Sequence, residues 1–253
     1  MLRIVKTIAL HGTLPLALLL FWQIGSTHFW WNAYILPPPA DVAHTLIQLA
    51  ASGQLTRHVA VSVLRVALGF FIAAGLALPL GILLGLSRPA GAFCRIALEF
   101  FRNVPPLALL PMLILWFGIG ETSKLVIVIL ATFFPIFLNT LAAIARPNCA
   151  LLELGRVFGL SRLAAFWHLR LPMAIPSIYT GLRIGLGYSW RSLIGAEMIA
   201  AAAGLGWLIL DGEEMARPDV VLSGIFTIGA LGLAADALLR LLGRRCRRFT
   251  GGE

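Results

Sequence analysis

Residues 150–172 read ALLELGRVFGLSRLAAFWHLRLP, and the rest of the chain is interpreted around them. Leu151, Leu154 and Phe158 recur at helical spacing and predict a short helix over 150–157. Gly159 stands where a break with positive φ is expected. A second short helix is predicted over 162–169, and Pro172 is expected to end it. Arg156, Arg162 and Arg170 share the exposed face of this pair with apolar neighbours. Such a face fits a groove on another protein. The whole connecting loop is placed at residues 146–177.

An apolar run flanks this loop on each side, at residues 124–145 and 178–201. A helix crosses the bilayer core in about 20 apolar residues at about 1.5 Å each. Further outward, spans are predicted at 59–86, at 105–117 extended backwards by 96–101, at 220–242 and at 8–31. The expected fold is all-α, a polytopic membrane protein with about six transmembrane helices. Composition agrees: 59% of the 253 residues are hydrophobic and 12% charged, with a mean hydropathy of +0.91. A soluble domain is about 45–50% apolar and about 25% charged.

The formal charge is +9. The basic residues lie mostly between and beyond the apolar runs, with no nucleic-acid fold signature, so nucleic acid is not an expected partner. They orient the chain instead. With a cytoplasmic N-terminus, the inner segments hold Arg3 and Lys6, then Arg88, Arg95 and Arg102, then Arg146, Arg156, Arg162 and Arg170, then Arg240 and the basic tail. The outer segments keep Arg57, Lys124 and Arg217 beside Asp41, Glu121, Asp211, Glu213, Glu214 and Asp219. This positive-inside bias predicts a multi-pass protein of a bacterial inner membrane with both termini cytoplasmic. The first span is too long for a signal-peptide core and has no small-x-small cleavage site, so an uncleaved anchor is expected. Cys94, Cys149 and Cys246 fall on the inner side, where reduced thiols are expected.

Two outer segments do not span. Pro37, Pro38 and Pro39 are expected to stop the first helix, and residues 42–51 to form an amphipathic stretch, read as a connector at the interface in preference to a partner-binding segment. Residues 197–219 read as a solvated acidic loop or as a docking face for an external partner. Pro105, Pro106 and Pro111 open the third span and Pro135 interrupts the fourth, shaping packing or hinging a gate.

The 150–172 loop resembles the cytoplasmic loop of binding-protein-dependent ABC importer permeases: Glu-Ala-Ala, three residues, Gly, nine residues, Ile-x-Leu-Pro. Glu153 stands at the acidic position, Gly159 at the glycine, and Leu171 and Pro172 close the motif. Leu154 and Gly155 replace the two alanines, and Leu169 replaces the isoleucine. Further stretches, among them residues 102–109, 114–124, 134–140 and 181–187, are similar to the aliphatic-sulfonate and taurine branch. That branch includes nitrate, bicarbonate and pyrimidine-precursor carriers.

The resemblance implies a type I ABC importer permease fold at residues 58–243, after an N-terminal anchor and amphipathic segment at 1–57 and before a basic tail at 244–253. It implies a homodimeric permease in lipid, two cytoplasmic ATPase subunits and a periplasmic solute-binding protein. Glu153, Gly155, Arg156, Gly159, Arg162, Leu171 and Pro172 would then couple the pore to the ATPases. ATP and Mg would act on the partner ATPase, and no cofactor is expected on this chain.

No Gly-x-x-x-x-Gly-Lys-Ser/Thr occurs, so nucleotide is expected to bind elsewhere. The five histidines lack metal-ligand spacing, and no cluster fit for hydrolysis is apparent, so catalysis is not expected. A charge inside a span usually faces a cavity or a partner. Arg183 reads as a snorkelling side chain or a pore residue. Arg191, beside Trp190, reads either as lining an anion path or as paired with Glu197 or another helix. Asn139 is a further candidate for the path. A secondary transporter is the main rival, but no paired repeat relates the two halves.

Overall fold

The computed structural model describes the backbone of residues 2–146 and 149–247, with side chains except at positions 2–12, 15, 88, 90, 92, 95, 149, 242 and 244–247. The described residues are helical, without strands. The helices are α1 (Leu2–Thr27), α2 (Pro39–Ala51), α3 (Gln54–Leu86), α4 (Arg88–Asn103), α5 (Leu110–Phe117), α6 (Glu121–Ala145), α7 (Cys149–Val157), α8 (Arg162–Ala165), α9 (Leu171–Ala200), α10 (Leu205–Glu214) and α11 (Pro218–Arg247). A 3-10 turn at Pro106–Leu109 leads into α5, and a π turn at Phe166–Arg170 joins α8 to α9. Of the expected basic tail, residues 244–247 continue α11 and the rest lies outside the described residues.

Three helices are individually long and apolar enough to cross a bilayer: Gln54–Leu86, Glu121–Ala145 and Pro218–Leu241. Two further crossings are bent. Ile96–Asn103 meets Pro106–Phe117 at 84°, and Arg162–Ala200 meets Leu205–Glu214 at 47°. With the shorter apolar helix Leu16–Thr27, these segments fall at the six expected places.

Lipid offers no hydrophobic drive between helices, so close backbone approach through small residues becomes the means of packing. On α3 a small residue recurs every fourth position, at Gly69, Ala73, Ala77, Gly81 and Gly85, and all five are buried. α6 lies against this stripe, with Val128 at Gly69, Thr140 at Gly81 and Ile144 at Gly85. The matching order of these pairs shows that the two helices run parallel. On the other flank of α6, Gly181 meets Asn139 and Gly185 meets Ile136, so α9 runs antiparallel. α6 is therefore the central helix, and its Ile127, Ile136, Phe137 and Ile144 are fully buried.

This arrangement defines two ends. The start of α3, the start of α6 and the end of α9 share one end with α2 and α10. The end of α3 and the end of α6 share the other with α7 and α8. α2 is tied to α11 by Thr45 Oγ1, which donates to Asp219 Oδ2 at 2.7 Å, and its Val42, Thr45 and Leu49 are buried.

The structure corrects four expectations. α1 stops at Thr27, well before the prolines. Phe29 takes φ +55, and Trp30 N–H and Phe29 N–H bond back to Gly25 and Ser26 carbonyls, a helix-ending Schellman pattern. Pro39 instead opens α2. The third span is sharply bent because Val104 and Pro105 are extended, as the residue before a proline tends to be. Pro172 does not end a helix: it lies in the first turn of α9, where a missing N–H is tolerated. Residues 205–214 form a helix with Leu205, Leu208 and Ile209 buried, so the exposed part of the expected acidic loop is Ile199, Ala202 and Glu213–Arg217.

A Cβ at Gly181 would lie 2.8 Å from Asn139 Cβ and 3.0 Å from the Pro135 carbonyl oxygen. Gly181→Val should therefore lower stability by about 1–3 kcal/mol through overpacking. Gly75→Ala, where no atom comes within 4 Å, should not lower it, since alanine is the better residue inside a helix. Denaturant unfolding of the purified protein in detergent checks both.

Candidate functional site

At one end of the bundle, α7 rests on the π turn because residue 155 is glycine. A Cβ there would lie 2.7 Å from Leu169 Cδ1 and 3.3 Å from Leu160 Cδ1. α7 closes at Gly159, which adopts φ +72. Leu160 N–H donates to the Gly155 carbonyl and Gly159 N–H to the Arg156 carbonyl, both at 2.9 Å. Ser161 then caps α8, its Oγ accepting from Ala164 N–H at 3.2 Å. The pair presents Val157 and Phe158, about four-fifths exposed, and also Leu163 and Trp167. Glu153, Arg156 and Arg162 are exposed among them. Leu171 and Pro172 are half-buried where α9 begins. Exposed large apolar side chains interleaved with charge form a surface suited to a partner.

The opposite end is locked by ions. Glu197 is fully buried. Its carboxylate accepts from Ser62 Oγ at 2.8 and 2.9 Å, from Arg65 Nη1 at 2.8 Å and from Gly206 N–H at 2.9 Å. Arg65 also grips Glu121 with two hydrogen bonds of 2.6 Å and donates to the Ala203 carbonyl at 2.6 Å. Lys124 Nζ lies 2.7 Å from Glu121 Oε1. His58 Nδ1 accepts from Gly204 N–H at 3.1 Å, and its ring stacks on Trp207 at 5.2 Å. Gly204 takes φ +128, and a Cβ there would lie 2.4 Å from the Glu197 carboxyl carbon. The chain passes over the carboxylate only because it carries no side chain there.

The candidate path residues separate. Trp190 packs in a core with Val66, Val128 and Leu205. Arg191 is exposed, its guanidinium carbon 5.9 Å from the Tyr188 ring centroid. Tyr188 and Asn139 line one cavity of about 400 Å³, while Asn139 Nδ2 donates to the Pro135 carbonyl at 2.8 Å. Arg191 does not pair with Glu197. Six residues along a helix face different ways, unlike three or four. Glu197 takes Arg65 instead, a residue the sequence reading overlooked. Its signal was present: an arginine inside the 59–86 run. Arg183 reaches Asp236 of α11 at 2.7 Å, a partner that neither reading had named. Among the described residues no group of His, Cys, Asp and Glu could hold a metal.

Residues 77–248 match the model of a family described as the binding-protein-dependent transport system inner membrane component. The chain belongs to that family. It is 37% identical over 245 residues to the taurine transport system permease protein of Escherichia coli, covering 95% of this chain and 89% of that protein. It is 42% identical over 236 residues to the Escherichia coli protein named as an aliphatic sulfonates transport permease, covering 93% and 90%. The nitrate import permease protein of Synechococcus elongatus is 30% identical over 218 residues, covering 85% and 76%. Among solved structures, a chain of the MetNI methionine ABC transporter superposes with a TM-score of 0.53 at 20% identity, covering 71% of this chain and 92% of that one. The chain is thus the permease of an ABC importer, with the type I permease fold.

Removing one partner from a buried ion pair costs about 3–5 kcal/mol. Arg65→Met in the permease should lose about that much, because it strands Glu197. Adding Glu197→Gln should recover part of the loss. Denaturation of the detergent-purified single and double variants checks the order.

Proposed function

We propose that this permease carries a small anionic solute, an aliphatic sulfonate such as taurine, across the inner membrane. Two cytoplasmic ATPase subunits supply the energy and a periplasmic binding protein delivers the solute. A second copy of the chain completes the pore. In this reading the α7–α8 end is cytoplasmic, as are both termini, and the α2–α10 end faces the periplasm.

The observation that carries the reading is the α7–Gly159–α8 surface. Val157, Phe158 and Leu163 stand exposed beside Arg156 and Arg162. α8 continues through the π turn into α9 as one helical segment. A displacement of α8 by the ATPases therefore moves α9, which carries Tyr188 and Arg191. The sulfonate reading is supported by the taurine and sulfonate permeases that the chain resembles over more than nine-tenths of its length. Nitrate is the second reading, favoured by the nitrate relative.

Glu153→Lys and Gly159→Asp should uncouple ATP hydrolysis from uptake in proteoliposomes holding the complete transporter. Gly159→Asp places a side chain at positive φ, which disfavours the turn. Normal coupling in both variants counts against this docking surface. Arg191→Gln should assemble normally and lose uptake of labelled taurine; unchanged uptake removes Arg191 from the path.

A further inference from the structure

Two cavities meet at one arginine. The larger, about 1010 Å³, lies between α4 and the halves of α3 and α6 near α7, reaching Leu84, Ala145 and Arg146. The smaller, about 400 Å³, lies deeper along α6 and is lined by Asn103, Phe134, Asn139 and Tyr188. Both are lined by Arg102 and Leu138. Arg102 is exposed in the last turn of α4, just before the 84° bend, where the two linings overlap.

We propose that Arg102 is the anion-binding and specificity-determining residue of the translocation path, holding the acid group of a small organic oxyanion as it passes between the two cavities. This rests on the permease reading above and adds the residue that selects charge. Arg65, Lys124, Arg183 and Arg240 are each ion-paired to a carboxylate. Arg102 stands on cavity walls instead. No carboxylate lines the smaller cavity among the described residues, and Glu99 lines only the larger.

The smaller cavity has the composition of a ligand site, an apolar wall with a few convergent polar groups, and about 300–1,000 Å³ is the usual size of one. The guanidinium supplies parallel N–H donors that match two oxygens of a sulfonate or similar head group. Asn103 and Asn139 each spend an amide N–H on a backbone carbonyl, of Glu99 and Pro135 respectively. Each retains a second N–H. The Tyr188 hydroxyl is a further donor. Phe134 and Ile184 give the short carbon chain of the solute an apolar wall. Ile184, Tyr188 and Arg191 recur at helical spacing on the exposed face of α9, so the site is open on one side and is closed by the second copy of the permease.

The test uses the complete transporter, with ATPase and binding protein, in proteoliposomes. Uptake of labelled taurine and of nitrate is measured beside ATP hydrolysis. Arg102→Gln should lower uptake of the transported anion about tenfold or more, the loss of one charge-assisted hydrogen bond. Stimulated hydrolysis and assembly should persist, and Arg102→Lys should retain part of the uptake. Uptake within about twofold of the unsubstituted transporter in Arg102→Gln, at the tenfold scale expected, overturns the proposal.

Should Arg102→Gln fail to assemble, Arg102→Cys decides. Aminoethyl methanethiosulfonate restores a cation there and should restore uptake, whereas methyl methanethiosulfonate should not. The arginine-bearing chain treated identically controls for the native cysteines. Equal rescue by both reagents, rescue by neither, or failure of this variant to assemble overturns the proposal. Uptake of nitrate but not taurine by the unsubstituted transporter removes the sulfonate reading alone, and the Arg102 variants are then judged with nitrate. Uptake of neither anion overturns both.

Discussion

One buried carboxylate holds one end of this permease together. Glu197 draws Ser62 and Arg65 from α3 and the Gly206 amide from α10 onto a single group. Arg65 passes the connection on to Glu121 at the start of α6. Three helices and the chain entering α10 are thereby tied, with Glu121 open to solvent and Glu197 sealed at a point where water is excluded. Charges in such a place are tolerated only when every partner is supplied. The two glycines around Leu205 follow from the same close approach, Gly204 passing over the Glu197 carboxylate and Gly206 pressing on the α9 backbone at Ile194 and the Glu197 Cβ.

The remainder of the bundle obeys a different rule. Away from Glu197, α6 touches α3 and α9 through small residues, and Arg183 pairs with Asp236 between α9 and α11. One end is closed around a buried carboxylate, and the other carries the exposed α7–α8 surface.

Much of this was legible in the residues. The six apolar segments could be read because lipid demands long uninterrupted runs, and α7 and its break could be read because Gly159 is needed for a positive φ. Three things were hidden, each for a physical reason. The acidic residues of 211–214 masked α10, although Leu205, Leu208 and Ile209 already showed the spacing of a buried helical face. The bend after Asn103 was obscured because 96–101 and 105–117 are both apolar, and the two prolines that cause it also fit a straight helix start. Glu197 was matched to the wrong arginine because proximity in sequence was taken for proximity in space; its partner lies 132 positions away. The site residues were less legible than the fold. Lining a cavity depends on how α4, α6 and α9 are set against one another, and no local pattern encodes that.

The glycine contacts along α6 have a mechanical meaning. Where Gly81 and Gly85 of α3 and Gly181 and Gly185 of α9 meet α6, the Thr140, Ile144, Asn139 and Ile136 side chains seat in the notches that the glycines leave. Sliding in that half would lift each of them from its notch, a shear opposed by packing alone. At the Glu197 end the same sliding would break ion pairs. The two halves of the bundle therefore resist the same displacement by different means, one by packing and the other by charge.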